Sequence, residues 1–227
     1  MARRDQEFGV KLPRATHQER SLIDRDEYRI RARAKRKGVK RTGGGKKYAI
    51  GECIQMDHYG PHDAPSPVDG STGQLVAVCS RSDFGFAKNL KTHTSDDIYT
   101  FALEVKAEAA KHGHKMRILR LDRASEHASP KLKARLAKKG IAVELCPRGL
   151  HEGVGKVEAK NDQLTRAADG AAARAQLSRG YHLDLRLDAL DRLNARASKS
   201  QGVSRIKQWT GEETDFKSRP PYIVGCK

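Results

Sequence analysis

The stretch Gln74-Leu75-Val76-Ala77-Val78-Cys79-Ser80 constrains the fold more than any other. It is a continuous apolar run, not an alternating one, which is the pattern of a strand buried on both faces. Such a strand needs cover on each side, and helices are the usual cover. Strand partners lie close by in the chain. Ile50-Gly51-Glu52-Cys53-Ile54-Gln55-Met56 alternates loosely and runs into Asp57, ahead of a Tyr59-Gly60-Pro61 turn signal. Phe84 to Leu90 follows the buried run after only Arg81-Ser82-Asp83, a connection short enough to imply an antiparallel hairpin. The first three strands are therefore expected to form an antiparallel meander.

Helical signals follow. Thr94-Ser95-Asp96-Asp97 reads as a capping box, and Ile98, Phe101, Ala102, Val105 and Ala109 then fall on one helical face, with Gly113 at the left-handed C-cap. Met116 to Leu121 is a fourth strand that delivers Asp122. Ser129-Pro130 opens a second helix with Leu132 and Leu136 as its core face, ended by Gly140, and Ile141 to Cys146 is a fifth strand. After a glycine-rich loop at 147–155, Val157, Asn161, Leu164, Ala168 and Ala171 form a further helical stripe, with Glu158 about 100° round from Val157. Leu183, Leu187, Leu190 and Asn194 suit another helix, and Trp209, the sole tryptophan, is expected to be a packing anchor. The order β-β-β-α-β-α-β makes an α/β fold: a five-stranded mixed sheet, antiparallel meander plus parallel strands, flanked by helices and joined by right-handed crossovers.

Three acids stand out in this frame. Asp57 and Asp122 end two strands, and Glu158 sits on a later helix with 35 residues between it and Asp122. Carboxylates converging from two strand ends and a helix are a means of holding two divalent metal ions. The net charge of +17 names a polyanion as the default partner. Much of that charge lies in 29–47, which holds ten Lys or Arg and no acid and reads as a weakly structured basic arm that includes Arg36 and Lys37. No apolar run approaches the roughly 18 residues of a membrane span, and the N-terminus has no signal-peptide apolar region. The four cysteines, Cys53, Cys79, Cys146 and Cys226, form no CxxC pair and read as reduced thiols of an intracellular protein. Nuclear or cytoplasmic residence is expected, the basic arm favouring the nucleus. The chain divides into the arm at 1–47, a core at 48–180 and a C-terminal helical extension at 181–227.

Taken in order, these segments resemble the integrase core of copia-type LTR retrotransposons, in the ribonuclease-H-like superfamily with retroviral integrases. Gln55-Met56-Asp57-His58-Tyr59-Gly60-Pro61 is similar to the family's first-Asp strand. Val78 to Phe86 is similar to its Asp-x-Ser-Arg hairpin. Ile118-Leu119-Arg120-Leu121-Asp122 with Glu126 is similar to its second-Asp segment, and Gly155-Lys156-Val157-Glu158-Ala159-Lys160-Asn161 to its Glu helix. The spacing of the last two acids is the family's. Trp209-Thr210-Gly211 and Val224-Gly225-Cys226-Lys227 resemble the segment after the core; that similarity breaks off at Lys227, which fits either a fragment or a degenerate element. Arg123-Ala124-Ser125 stand where the family has Asn-Gly-Gly, Glu152-Gly153-Val154 replace its Pro-Gln-Gln-Asn loop, and its upstream His2Cys2 zinc module is missing.

The resemblance implies a ribonuclease-H-like fold and a polynucleotidyl transferase that processes DNA 3′ ends and joins them to target DNA. Asp57, Asp122 and Glu158 would be catalytic and would ligate two Mg2+ or Mn2+ ions; Glu126 and Glu152 are weaker candidate ligands. Lys156, Lys160, His151, Arg36 and Lys37 are candidate DNA contacts, and Tyr59 either nears the substrate or packs in the core. Partners would be element ends and target DNA, with the protein a homo-oligomer and no membrane involved. Two other readings stand beside it: a catalytically degenerate, nucleic-acid-binding remnant, and a ribonuclease of the same fold.

Overall fold

The computed structural model describes residues 48–122, 129–146, 155–197 and 202–212. Five strands form one sheet: β1 (Cys53–Tyr59), β2 (Gly73–Cys79), β3 (Gly85–Leu90), β4 (Ile118–Asp122) and β5 (Ala142–Cys146), in the order β3-β2-β1-β4-β5. β1 pairs antiparallel with β2, and β2 with β3; β1–β4 and β4–β5 are parallel. The expected α/β architecture, an antiparallel meander continued by parallel strands, is therefore present.

β2 is buried along its whole length, because helices cover both faces of the sheet. On one face, α1 (Ser95–Lys111) and α2 (Pro130–Lys138) pack against Ile54, Met56, Leu75, Ala77, Leu119 and Leu121. On the other, α3 (Gly155–Ala175) and α4 (His182–Ala195) pack against Val76, Val78 and Cys146 through Val157, Leu164, Ala189 and Leu190. Strand alternation sorts the residues between the two cores. The helix ends follow the sequence signals. Thr94 and Asp97 exchange hydrogen bonds as a capping box, and Ser129 Oγ accepts from Leu132 N with Pro130 in the first turn. Gly113 takes the positive φ, 76°, that the turn beyond α1 requires.

The expected C-terminal extension supplies both cores. Beyond α4, the short α5 (Arg205–Thr210) buries Trp209 against the first core, stacked on Phe84 with ring centroids 5.1 Å apart and met edge-on by Phe86. α4 guards the sheet edge: Asn194 Oδ1 accepts from Gly85 N at 2.9 Å, and Asn194 Nδ2 donates to Gly85 O at 2.8 Å. A Cβ on Gly85 would stand 2.7 Å from Leu190 Cδ1, so a larger residue there would make the leucine side chain shift.

Strand ends differ from expectation. β1 starts later and runs through Asp57 to Tyr59, because pairing with β2 continues as Asp57↔Val76, His58↔Leu75 and Tyr59↔Gln74. Cys53, Cys79 and Cys146 are free and buried, as expected of reduced thiols, while Cys226 and the arm at 1–47 lie outside the described residues. No helix among the described residues is long and apolar enough to cross a membrane.

Trp209→Ala is expected to cost about 3–5 kcal/mol, the usual range for a fully buried aromatic. Urea unfolding measures it; a loss under about 1 kcal/mol would mean that α5 adds little to the core.

Candidate functional site

Parallel pairing of β1 with β4 sets two of the acids side by side. The last paired residues are Met56 and Leu121, and Asp57 and Asp122 are the next residue on each strand. Met56 and Leu121 belong to the α1/α2 core, so alternation turns Asp57 and Asp122 toward the face that α3 covers. Asn161 of α3 meets Asp57 there, donating from Nδ2 to Asp57 Oδ2 at 3.0 Å. Glu158 lies one turn earlier on α3. The helix start is fixed by Gln55, whose Oε1 accepts from Lys156 N at 3.1 Å and Val157 N at 3.3 Å. A strand residue thus satisfies two of the donors that a helix N-terminus leaves open. The crevice at the carboxyl ends of parallel strands is where α/β sheets commonly place ligands.

Burial pushes the Asp57 carboxyl above its ordinary pKa, and the charges of Glu158 and Asp122 push it further. The His58 backbone N–H and the Asn161 amide oppose this. Glu158 and Asp122 thus both bear on Asp57, and the Cys146 thiol, raised chiefly by burial, lies near enough to both to be pushed further. Among the described residues no group of three or more His, Cys, Asp or Glu side chains stands close enough to hold a metal ion together. The donor chemistry suits a hard divalent cation, since carboxylate oxygens prefer Mg2+ or Mn2+, and a cation would relieve the repulsion around Asp57.

Arg186 of α4 organises this end of the molecule. It is fully buried. Nε donates to Gln74 Oε1 at 2.9 Å, Nη1 to Thr165 Oγ1 at 2.6 Å and to Asn161 O at 3.2 Å, and Nη2 to Asn161 Oδ1 at 2.7 Å. With Asn161 Oδ1 held by the guanidinium, Nδ2 is the atom left for Asp57. The guanidinium also lies over the Tyr59 ring, 3.5 Å from its centroid, and Tyr59 Oη meets His182 Nε2 at 3.0 Å. Tyr59 is thus a half-buried residue packed under Arg186. Burial pushes Arg186 down to about 10.

The candidate DNA contacts separate. Lys156 is partly exposed, with Nζ 2.5 Å from Asp83 Oδ1. Lys160 is 3% exposed, and its Nζ donates to Asp83 O at 3.0 Å. It lies beneath the β2–β3 turn, one helical turn on from Lys156, and faces inward rather than out to the open surface. Burial first, then the Arg205 charge, push it down to about 7. His151, Arg36, Lys37, Glu126 and Glu152 lie outside the described residues.

Sequence reasoning missed Gln55, Arg186 and Arg205. Arg186 carried one signal: it is three residues after Leu183 and four before Leu190, on the face those leucines bury. Gln55 carried none, because its partners lie about a hundred residues away in sequence. No family model and no curated protein matches the sequence.

Two outcomes follow. Asp57's raised pKa means that folding favours its protonated form, so its contribution to stability falls as pH rises from the unfolded carboxylate value near 3.9 through the folded one. Asp57→Asn is therefore expected to raise the melting temperature at pH 7 in chelator, with the advantage shrinking toward pH 4. A variant less stable than the parent at pH 7 would contradict this. Arg186→Met leaves buried acceptors on Gln74 and Asn161 and is expected to cost about 1–3 kcal/mol per unsatisfied group. Denaturant unfolding checks it, and an unchanged midpoint would remove Arg186 from its organising role.

Proposed function

We propose that the chain is the catalytic core of a retroelement DNA integrase of ribonuclease-H-like fold, a polynucleotidyl transferase that works with Mg2+ or Mn2+. One observation carries the reading: Asp57 and Asp122 end two adjacent parallel strands on the face that α3 covers, and Glu158 lies on α3 one turn before Asn161, which holds Asp57. The strand order and directions support it as an analogy at the level of fold.

Asp57 would be the shared ligand, with Asp122 and Glu158 serving one ion each. When bound, such a pair supplies activation of the attacking oxygen and neutralisation of charge at the leaving one. The chain's own part is positioning. Asn161 and the His58 N–H hold the Asp57 carboxylate, Arg186 holds Asn161, and Gln55 anchors the helix that carries Glu158. With water as the attacking group a DNA end is trimmed; with a DNA 3′-hydroxyl, two DNAs are joined.

A second reading, a nucleic-acid-binding remnant without catalysis, is favoured by Arg123-Ala124-Ser125 after Asp122 and by the missing upstream zinc module.

The test is joining of labelled DNA ends by the purified chain. Joined product in Mn2+, lost on chelation, is expected, and Asp122→Asn should reduce it to background while leaving DNA binding nearly intact. Salt-sensitive DNA binding without any joining would favour the remnant, and undiminished joining by Asp122→Asn would sink the proposed site.

A further inference from the structure

α3 carries a second cluster on the edge opposite Glu158. Taking Val157 as the centre of the buried stripe, Glu158 lies about 100° to one side, and Lys156 and Lys160 lie about 60–100° to the other. These lysines, with Gln163 of the same helix, Asp83 of the β2–β3 turn and Arg205 of α5, line a cavity of about 200 Å3. The space is several times the roughly 30 Å3 share of a liquid water, enough for a phosphate group.

The polar groups lining it are under-used. The Lys160 ammonium has three donors and, among the described residues, makes one hydrogen bond, to the Asp83 carbonyl. Arg205 gives Nη1 to Leu193 O at 2.8 Å, yet its buried Nε has no partner among the described residues. Lys156 takes the Asp83 carboxylate. Three basic side chains from two helices thus meet in a partly enclosed space with one carboxylate, which Lys156 takes, and Lys160 is near enough to feel the charges of both Arg205 and Lys156. A buried lysine beside two partly buried cations calls for an anion. A tetrahedral oxyanion, with acceptors in several directions, suits donors arriving from α3 and α5 better than a planar carboxylate does, and a chain of net charge +17 attracts polyanions.

We propose that this pocket is a phosphate-binding site, and that it takes one phosphate of a nucleic-acid strand. The pocket stands apart from the carboxylate end and does not need that end to be catalytic.

The experiment titrates the full chain at fixed ionic strength with inorganic phosphate and, separately, with a short single-stranded oligonucleotide, following amide chemical shifts. Both ligands are expected to shift amides of 155–163 and 83–85. Lys160→Met should weaken both about tenfold or more, the worth of one charge-assisted hydrogen bond. Lys131→Gln, on the exposed side of α2, should bind as the parent does. Arg205→Gln gives the second reading should Lys160→Met not fold, as judged by its melting curve. Parent-like affinity in either folded variant, or shifts confined to other surfaces, would overturn the site. Phosphate binding without the oligonucleotide response would overturn the nucleic-acid assignment. Asp122→Asn should keep both responses, so loss of DNA joining in that variant bears on the integrase reading alone.

Discussion

Arg186 joins β2, α3, α4 and the ring of Tyr59 on β1 through one buried guanidinium. Burying a charge is costly unless its donors are satisfied. Here the donors go to Gln74, Thr165 and both oxygens of Asn161, while the charges of Asp169 and Asp57 offset the loss of water. Gln74 extends the network outward, since its Nε2 donates to Asn89 Oδ1 on β3 and to the backbone of Leu183. One chain of hydrogen bonds therefore runs from the sheet edge to Asp57. Because each member uses the lone pairs or protons of the next, the orientation of the Asn161 amide is set by Arg186, and the surroundings of Asp57 are set by Asn161.

α3 turns this arrangement into a division of labour. Its apolar stripe, Val157, Leu164 and Ala168, is held on the sheet, and Gln55 caps its start. The two margins of that stripe differ in sign. One carries Glu158 toward Asp57 and Asp122; the other carries Lys156 and Lys160 toward Asp83 and Arg205. A 21-residue helix docked along its length keeps both margins in register with the sheet. The negative and positive clusters thus share one rigid support, which is what the proposed phosphodiester chemistry would need.

Most of the fold was legible locally. The doubly buried run at 74–80, the capping box at Thr94, the Ser129-Pro130 start and the glycine stops each act within a few residues of chain, so element types followed from composition and period. The end of β1 was less legible, since how far a strand runs depends on the length of its partner, and β2 keeps pairing through Tyr59. The burial of Lys160 was illegible for a related reason. A lysine in a basic chain is ordinarily solvated, and only the placement of the β2–β3 turn over α3 buries this one.

By itself, then, the sequence determined the α/β class, the five strands, the helix boundaries signalled by caps and the positions of Asp57, Asp122 and Glu158 along the chain. Tertiary structure alone decided that Asp57 and Asp122 come to adjacent strand ends on the face of α3, that Gln55 caps a helix about a hundred residues away, and that Arg186 and Lys160 are interior cations. Propensity and periodicity are short-range and survive in a string of residues. Burial of a charge and the meeting of distant carboxylates depend on which surfaces pack together, and that is settled only when the sheet and its two helical layers close.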